Sequence, residues 1–198
     1  MVRRDHPFWH MKSHLLATLP NLVLEYSVYV YRGYGITESR KVCSIRAEEL
    51  SEEWLEDRIG NLGDKQELAV HSRVQVDSKI FHVPMIDFVN ANYYDQIQRR
   101  IQHINDKLGQ EVWIYSSGRS LHGYYFLLIE EARWLEFLGS LLLCNSRGEF
   151  PNEIVDSRWV GHSLDHGFSA LRWSQNTERH QAAPSLLTFD ALHGRSVS

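Results

Sequence analysis

Two apolar runs, Val112 to Tyr115 and Tyr124 to Ile129, enclose a glycine-bearing polar segment, Ser116-Ser117-Gly118-Arg119-Ser120-Leu121-His122-Gly123. Short runs rich in branched and aromatic residues read as buried strands. A polar turn between two such strands makes an ordinary hairpin. It is also a common way to aim donors at an anionic ligand. What lies before and after this segment decides between the two.

The flanking pattern alternates strands with helices. Phe8, Met11, Leu15, Leu16 and Leu19 have helical spacing, which predicts a helix over 6–19 that stops at Pro20. Leu22 to Tyr31 reads as a strand, Arg32-Gly33-Tyr34-Gly35 as a turn, and 40–46 as the hairpin partner. Ser51 is placed to cap a helix ending near Gly60-Asn61. Glu67 to Val76 and Ile80 to Phe88 form a second expected hairpin around Asp77-Ser78, with Asp87 near the end of its return strand.

Ile97, Ile101, Ile104 and Leu108 define an amphipathic helix within 91–108, closed by Gly109. Ala132 to Leu143 is a further helix, ended by Asn145-Ser146-Arg147-Gly148. Glu153 to Val160 contains a short apolar stretch ended by Asp156. His162 to Gly167 reads as a polar turn, and Phe168 to Ser174 as a strand carrying Arg172. No repeat or low-complexity linker interrupts this order. The expectation is one α+β domain over 1–198, with an N-terminal portion at 1–66, a core at 67–187 and a frayed tail at 188–198.

Composition narrows the function classes. The 198 residues carry a formal charge of −4, which argues against a broadly basic nucleic-acid binder, although scattered cations such as Arg99, Arg100, Lys107, Arg119, Arg158 and Arg172 remain available locally. Two cysteines, Cys43 and Cys144, are too few and too far apart for a zinc knuckle or a disulfide framework. No apolar run approaches the ~18 residues of a membrane span, and Met1 to His10 lacks a leader pattern. The expected location is therefore cytoplasmic, with no membrane partner.

Taken one at a time, the polar residues have plain readings. A strand-end aspartate such as Asp87 serves as a turn former or cap. His122 fits a hydrogen-bonded, half-buried histidine, Asp156 with Arg158 a surface ion pair, and Arg172 a stem laid over aromatics. His162 and His166 stand four apart beside Asp165, but a glycine-flanked turn is a poor place for a helical metal pair. Tyr93 and Tyr94, opening the helix after Asp87, are better placed than the tryptophans to touch a sugar or base.

Taken together, their order resembles the archaeo-eukaryotic primase superfamily, also called the primase-polymerase family. That family carries Asp-x-Asp or Asp-x-Glu at a strand end, then Ser-x-His, then an aspartate after apolar residues, then an arginine-bearing strand. Met85-Ile86-Asp87-Phe88-Val89 resembles the first motif, Ser120-Leu121-His122 the second and Ile154-Val155-Asp156 the third. Leu171-Arg172-Trp173-Ser174-Gln175-Asn176 resembles the trailing segment. Val89 stands where the second carboxylate belongs, with Asn90 next to it, so the chain looks like a one-aspartate variant.

The resemblance implies a primase-polymerase-like catalytic core, with a mainly antiparallel sheet flanked by helices. It implies Asp87 and Asp156 as catalytic and metal-binding residues, and Ser120, His122 and Arg172, helped by Gly118 and Arg119, as contacts to a nucleoside triphosphate. Nucleotidyl transfer ordinarily uses two divalent ions about 4 Å apart. With one carboxylate missing, the cofactor expected here is Mg²⁺ or Mn²⁺ as one ion rather than two. The implied activity is templated nucleotidyl transfer in DNA replication or repair on single-stranded nucleic acid, with a partner protein supplying priming elements this chain lacks. The alternative is a catalytically degenerate module that binds nucleotide or nucleic acid without turnover.

Overall fold

In chain order the strands are β1 (Leu22–Val30), β2 (Arg40–Arg46), β3 (Gln66–Val76), β4 (Lys79–His82), β5 (Met85–Phe88), β6 (Trp113–Ser116), β7 (Leu121–Tyr124), β8 (Ile129–Glu130), β9 (Ala170–Arg172) and β10 (Ser185–Leu186). The helices are α1 (Pro7–His14), α2 (Glu52–Gly60), α3 (Tyr94–Leu108), α4 (Glu131–Leu143) and α5 (Ser157–His166). The computed structural model describes residues 1–15, 17, 19, 21–30, 40–180 and 182–187. The expected turn at 32–35 and the expected tail at 188–198 lie outside the described residues.

Among the described residues every strand pairing is antiparallel, and the strands divide between two sheets. The larger runs β2-β1-β3-β4-β8, with β9 also on β3; the smaller runs β10-β6-β7-β5. The long strand β3 serves two neighbours along one edge, β9 at Ala69–His71 and β4 at Arg73–Val76. Ser72 stands at the change, where its N–H donates to Ser169 O and its carbonyl accepts from Val83 N, both at 2.7 Å. The mixed helices and antiparallel sheets make the fold α+β, as expected from the sequence.

The single strand expected over 80–88 is in fact two strands in different sheets. Pro84 explains the break, because it has no N–H to give a ladder, and the chain crosses there from β4 to β5. Side chains alternate along β5, so Ile86 and Phe88 enter a core shared with Ile97, Ile101 and Ile104 of α3 and Leu138 of α4. Met85 enters the other core, with Val74, Tyr115, Tyr124 and Trp173. The small sheet is thus packed on both faces. Asp87 shares the Met85 face, which looks toward the large sheet.

Local chemistry accounts for the helix ends. Ser51 Oγ accepts from Trp54 N at 3.1 Å and starts α2, and Gly109 at φ +67° ends α3, both where expected. α1 is shorter than the expected 6–19: His6 Nδ1 accepts from Phe8 N, Pro7 occupies the first turn, and regular helix stops at His14. The largest departure is at 153–167. The apolar stretch makes a bridge, Val155 to Phe88, in place of a strand, and the expected polar turn is the second half of α5. Asp156 Oδ1 caps this helix by accepting from Arg158 N at 2.9 Å and Trp159 N at 3.0 Å, and Gly167 at φ +73° closes it.

Candidate functional site

Register in the small sheet makes the centre of the site. Asp87 of β5 lies directly opposite His122 of β7, and Tyr115 of β6 lies opposite His122 on its other side. Directly paired residues project to the same face, so carboxyl and imidazole are neighbours by construction. His122 therefore sits in a strand, not in the turn the sequence predicts; β7 begins at Leu121 and the turn covers only 117–120. Gly118, at φ +110°, permits that turn. Ser117 Oγ and Ser120 Oγ are 3.0 Å apart across it.

Gly123 completes the arrangement from the opposite face. A Cβ there would lie 3.0 Å from Val112 Cγ2, 3.1 Å from Phe88 Cε2 and 3.3 Å from Ile86 Cβ. Only a residue without a side chain lets β7 pack this closely behind the site.

The third expected acid arrives from the far end of the chain. Val89 N donates to Ile154 O at 3.1 Å and Asp156 N to Asp87 O at 2.9 Å, so 154–156 runs beside 87–89. Both cap bonds of Asp156 fall on Oδ1, which leaves Oδ2 for a ligand. Asp156 is both cap and cavity residue, so its plain reading and its functional one hold together. Asn90 is committed elsewhere, its Oδ1 accepting from Asn92 N at 2.9 Å. Val89 lines the cavity with an apolar side chain.

Burial, reinforced by the nearby Asp156 charge, pushes the Asp87 carboxyl up from its ordinary 3.8 to about 8, against the pull of Arg172. Burial also drives His122 well below its ordinary 6.5, and the Arg172 charge adds to that. At neutral pH both groups are therefore uncharged without a ligand. They are 4.0 Å apart, too far for a hydrogen bond, and His122 Nδ1 is buried with no hydrogen-bond partner among the described residues. Two polar groups that do not satisfy each other form a site suited to a third.

These residues open onto a cavity of about 460 Å³ between the two sheets, with α5 along one side. Among the described residues that line it are five arginines (Arg40, Arg119, Arg158, Arg172 and Arg179) and four histidines, against only Asp87 and Asp156 as acids. A chain of net charge −4 thus concentrates cationic side chains in one concave place, which favours an anionic ligand. Ser120, Arg119, His122, Arg172 and both aspartates line it; Gly118 does not, and neither do Tyr93 and Tyr94. Tyr93 instead packs edge-on against Phe150 at 5.7 Å.

Arg172 does more than the sequence implies. Its Nη2 donates to Ser117 O at 2.8 Å, and its Nη1 donates to Ala182 O at 3.1 Å and to Ser174 O. One guanidinium thereby ties β9 and the 117–120 turn to Ser174 and Ala182. Beside it lies a residue that sequence reasoning missed, Glu67, which is fully buried. Glu67 accepts from His180 Nδ1 at 2.8 Å, Thr177 Oγ1 at 2.7 Å, Thr177 N at 3.0 Å, Asn176 N at 3.2 Å and Ser174 Oγ. Burial works to raise its pKa, but bonds from His180, Ser174 and Thr177 outweigh it and hold the carboxylate at about 2. The loop so anchored brings Arg179 and His180 to the cavity wall.

Asp87 and Asp156 are the carboxylates at this cavity that could hold a divalent cation. Two carboxylates suit Mg²⁺ or Mn²⁺, which take their remaining ligands from water and phosphate. Among the described residues no group of three or more His, Cys, Asp or Glu side chains is placed to hold a metal by itself. No helix among them is long and apolar enough to cross a membrane.

No curated protein and no solved structure matches the chain. Residues 46–185, which contain β5, β6, β7, α5 and the cavity's acids, match a family model described as AEP-like, archaeo-eukaryotic primase 1D-like. The chain belongs to the archaeo-eukaryotic primase superfamily.

Proposed function

We propose that the cavity binds a nucleoside triphosphate with one divalent cation and carries out templated nucleotidyl transfer of the primase-polymerase kind. The observation that carries this reading is the pairing of Asp87 with Asp156 at the edge of an otherwise cationic cavity. Arginines and histidines offset the charge of a polyphosphate, and the two acids offer the oxygens a divalent ion prefers. When bound, the ion would polarise a phosphoryl oxygen and orient the polyphosphate.

The chain's own residues divide the remaining work. Asp87 keeps a proton up to about pH 8 in the empty site, so taking up a cation displaces that proton. Neutral His122 offers the polyphosphate a ring N–H, and Ser120 a hydroxyl. Arg172 holds the turn that carries Ser120 while adding its charge to the cavity. Single-stranded nucleic acid is the expected template, and a partner protein supplies the further priming elements.

The test is incorporation of labelled nucleotide on single-stranded template with Mn²⁺ or Mg²⁺. Wild type extends, and Asp87→Ala and Asp156→Asn fall to background; Asp156→Asn keeps the helix cap while removing the charge. A second reading, a binding module without turnover, is favoured by Val89 at the place of the second carboxylate. It predicts that triphosphate with Mn²⁺ raises the melting temperature while no incorporation occurs under either metal. Absence of both incorporation and stabilisation overturns both readings.

A further inference from the structure

Four near-parallel rings run from the core of the large sheet to the cavity. His71, fully buried on β3, stacks on Phe168 at 4.0 Å and 12°. Phe168 stacks on His166 at 5.8 Å and 22°, and His166 on His162 at 5.8 Å and 10°. Phe168, His166 and His162 all line the cavity, whereas His71 backs the row from inside. The two histidines are one helical turn apart on α5, which is why their rings lie over each other.

We propose that the His162 end of this ladder receives the nucleobase of the bound nucleotide, an inference that rests on the nucleotide reading above. His166 covers one face of His162, and Arg158 Nε donates to its Nε2 at 3.4 Å. A bond to a ring nitrogen is made in the plane of the imidazole, so it leaves the stacking direction of His162 to another planar group. The next ring in such a row is a planar heteroaromatic one, and a stacked face is tolerant of base identity.

Position supports the same assignment. Asp156 begins α5 and His162 lies six residues along it, about 9 Å of axial rise. The helix therefore separates the polyphosphate end of the cavity from its aromatic end, which is the order of groups along a nucleotide.

Calorimetric titration of the full chain with Mn²⁺ present tests it, using ATP, CTP and inorganic tripolyphosphate as probes. Wild type is expected to bind ATP about tenfold or more tighter than tripolyphosphate, with the larger purine ahead of CTP. His162→Ala weakens ATP about five- to tenfold and leaves tripolyphosphate unchanged, and His162→Phe restores ATP. The proposal is overturned if His162→Ala weakens both probes equally, if His162→Phe is no better than His162→Ala, or if tripolyphosphate binds as tightly as ATP. Tripolyphosphate binding with no added affinity for ATP sinks the ladder alone; a wild type that binds no probe sinks the nucleotide reading as well.

Discussion

Asp87 pays for its place between the sheets in stability. Its folded-state pKa is raised from 3.8 to about 8, so the folded chain holds a proton that the unfolded chain has lost across that window. Stability assigned to this group is present in full below pH 3.8, falls as pH rises, and is gone above about pH 8, at about 1.4 kcal/mol per pH unit. In the absence of divalent ions, Asp87→Asn is expected to melt progressively higher than wild type between pH 4 and pH 8, and Mn²⁺ is expected to raise the melting temperature of wild type only. Parallel melting curves for the two proteins across that range would contradict the burial argument. Gly123 tests the other face of the same strands: Gly123→Ala overpacks against Val112, Phe88 and Ile86 and is expected to cost about 1–3 kcal/mol in urea denaturation, with loss of ligand-dependent stabilisation as His122 shifts.

At the scale of elements, Glu67 decides whether the 174–180 segment stays on the cavity wall. Its depressed pKa means that its contribution is fully present above pH 4.5 and is lost as pH falls toward 2. Glu67→Gln keeps the shape but weakens several charge-assisted bonds, each worth about 1.5–3 kcal/mol when buried. Faster amide exchange at Asn176 and Thr177 is the expected readout, with α3 and α4 unchanged. In α5, Asp156→Ala is expected to lose about 1 kcal/mol of cap that Asp156→Asn retains, measured by thermal denaturation.

At the scale of the whole molecule, buried histidines set the acid limb of stability. His6 and His82 are lowered to about 4, and His122 is lowered well below its ordinary value, all chiefly by burial. Between pH 4 and 6.5 the unfolded chain binds more protons at His6 and His82, with His122 acting in the same direction, so stability rises with pH and outruns the opposing slope of Asp87. Above pH 6.5 the Asp87 slope takes over. The metal-free protein is therefore expected to be most stable near pH 6.5 and to lose stability toward pH 8, which a series of melts across pH would show.

How much of this was legible varies by element. α2, α3 and α4 were readable because caps and helical periodicity are local. α5 was not, because Gly161, Gly167 and a run of polar residues look like a turn until Asp156 is seen capping the segment. The strand break at Pro84 was missed for a related reason: apolar content continues through it, and only sheet pairing shows the crossing. Asp87, Ser120, His122, Asp156 and Arg172 were found through motif order and do line one cavity. Glu67, Arg40, Arg179 and His180 carried no local signal, since Glu67 meets His180 across 113 residues of sequence.

By itself, then, the chain's order of apolar runs and caps pointed to an α+β fold, and its short motifs, by their resemblance to the primase superfamily, picked out two acids that line the cavity, because those features act over a few residues. Tertiary structure alone decided that Asp87 faces His122 in register, that Asp156 caps α5 beside them, and that distant arginines and histidines converge on one cavity. Those outcomes depend on sheet register and desolvation, which exist only once both sheets have closed around the site.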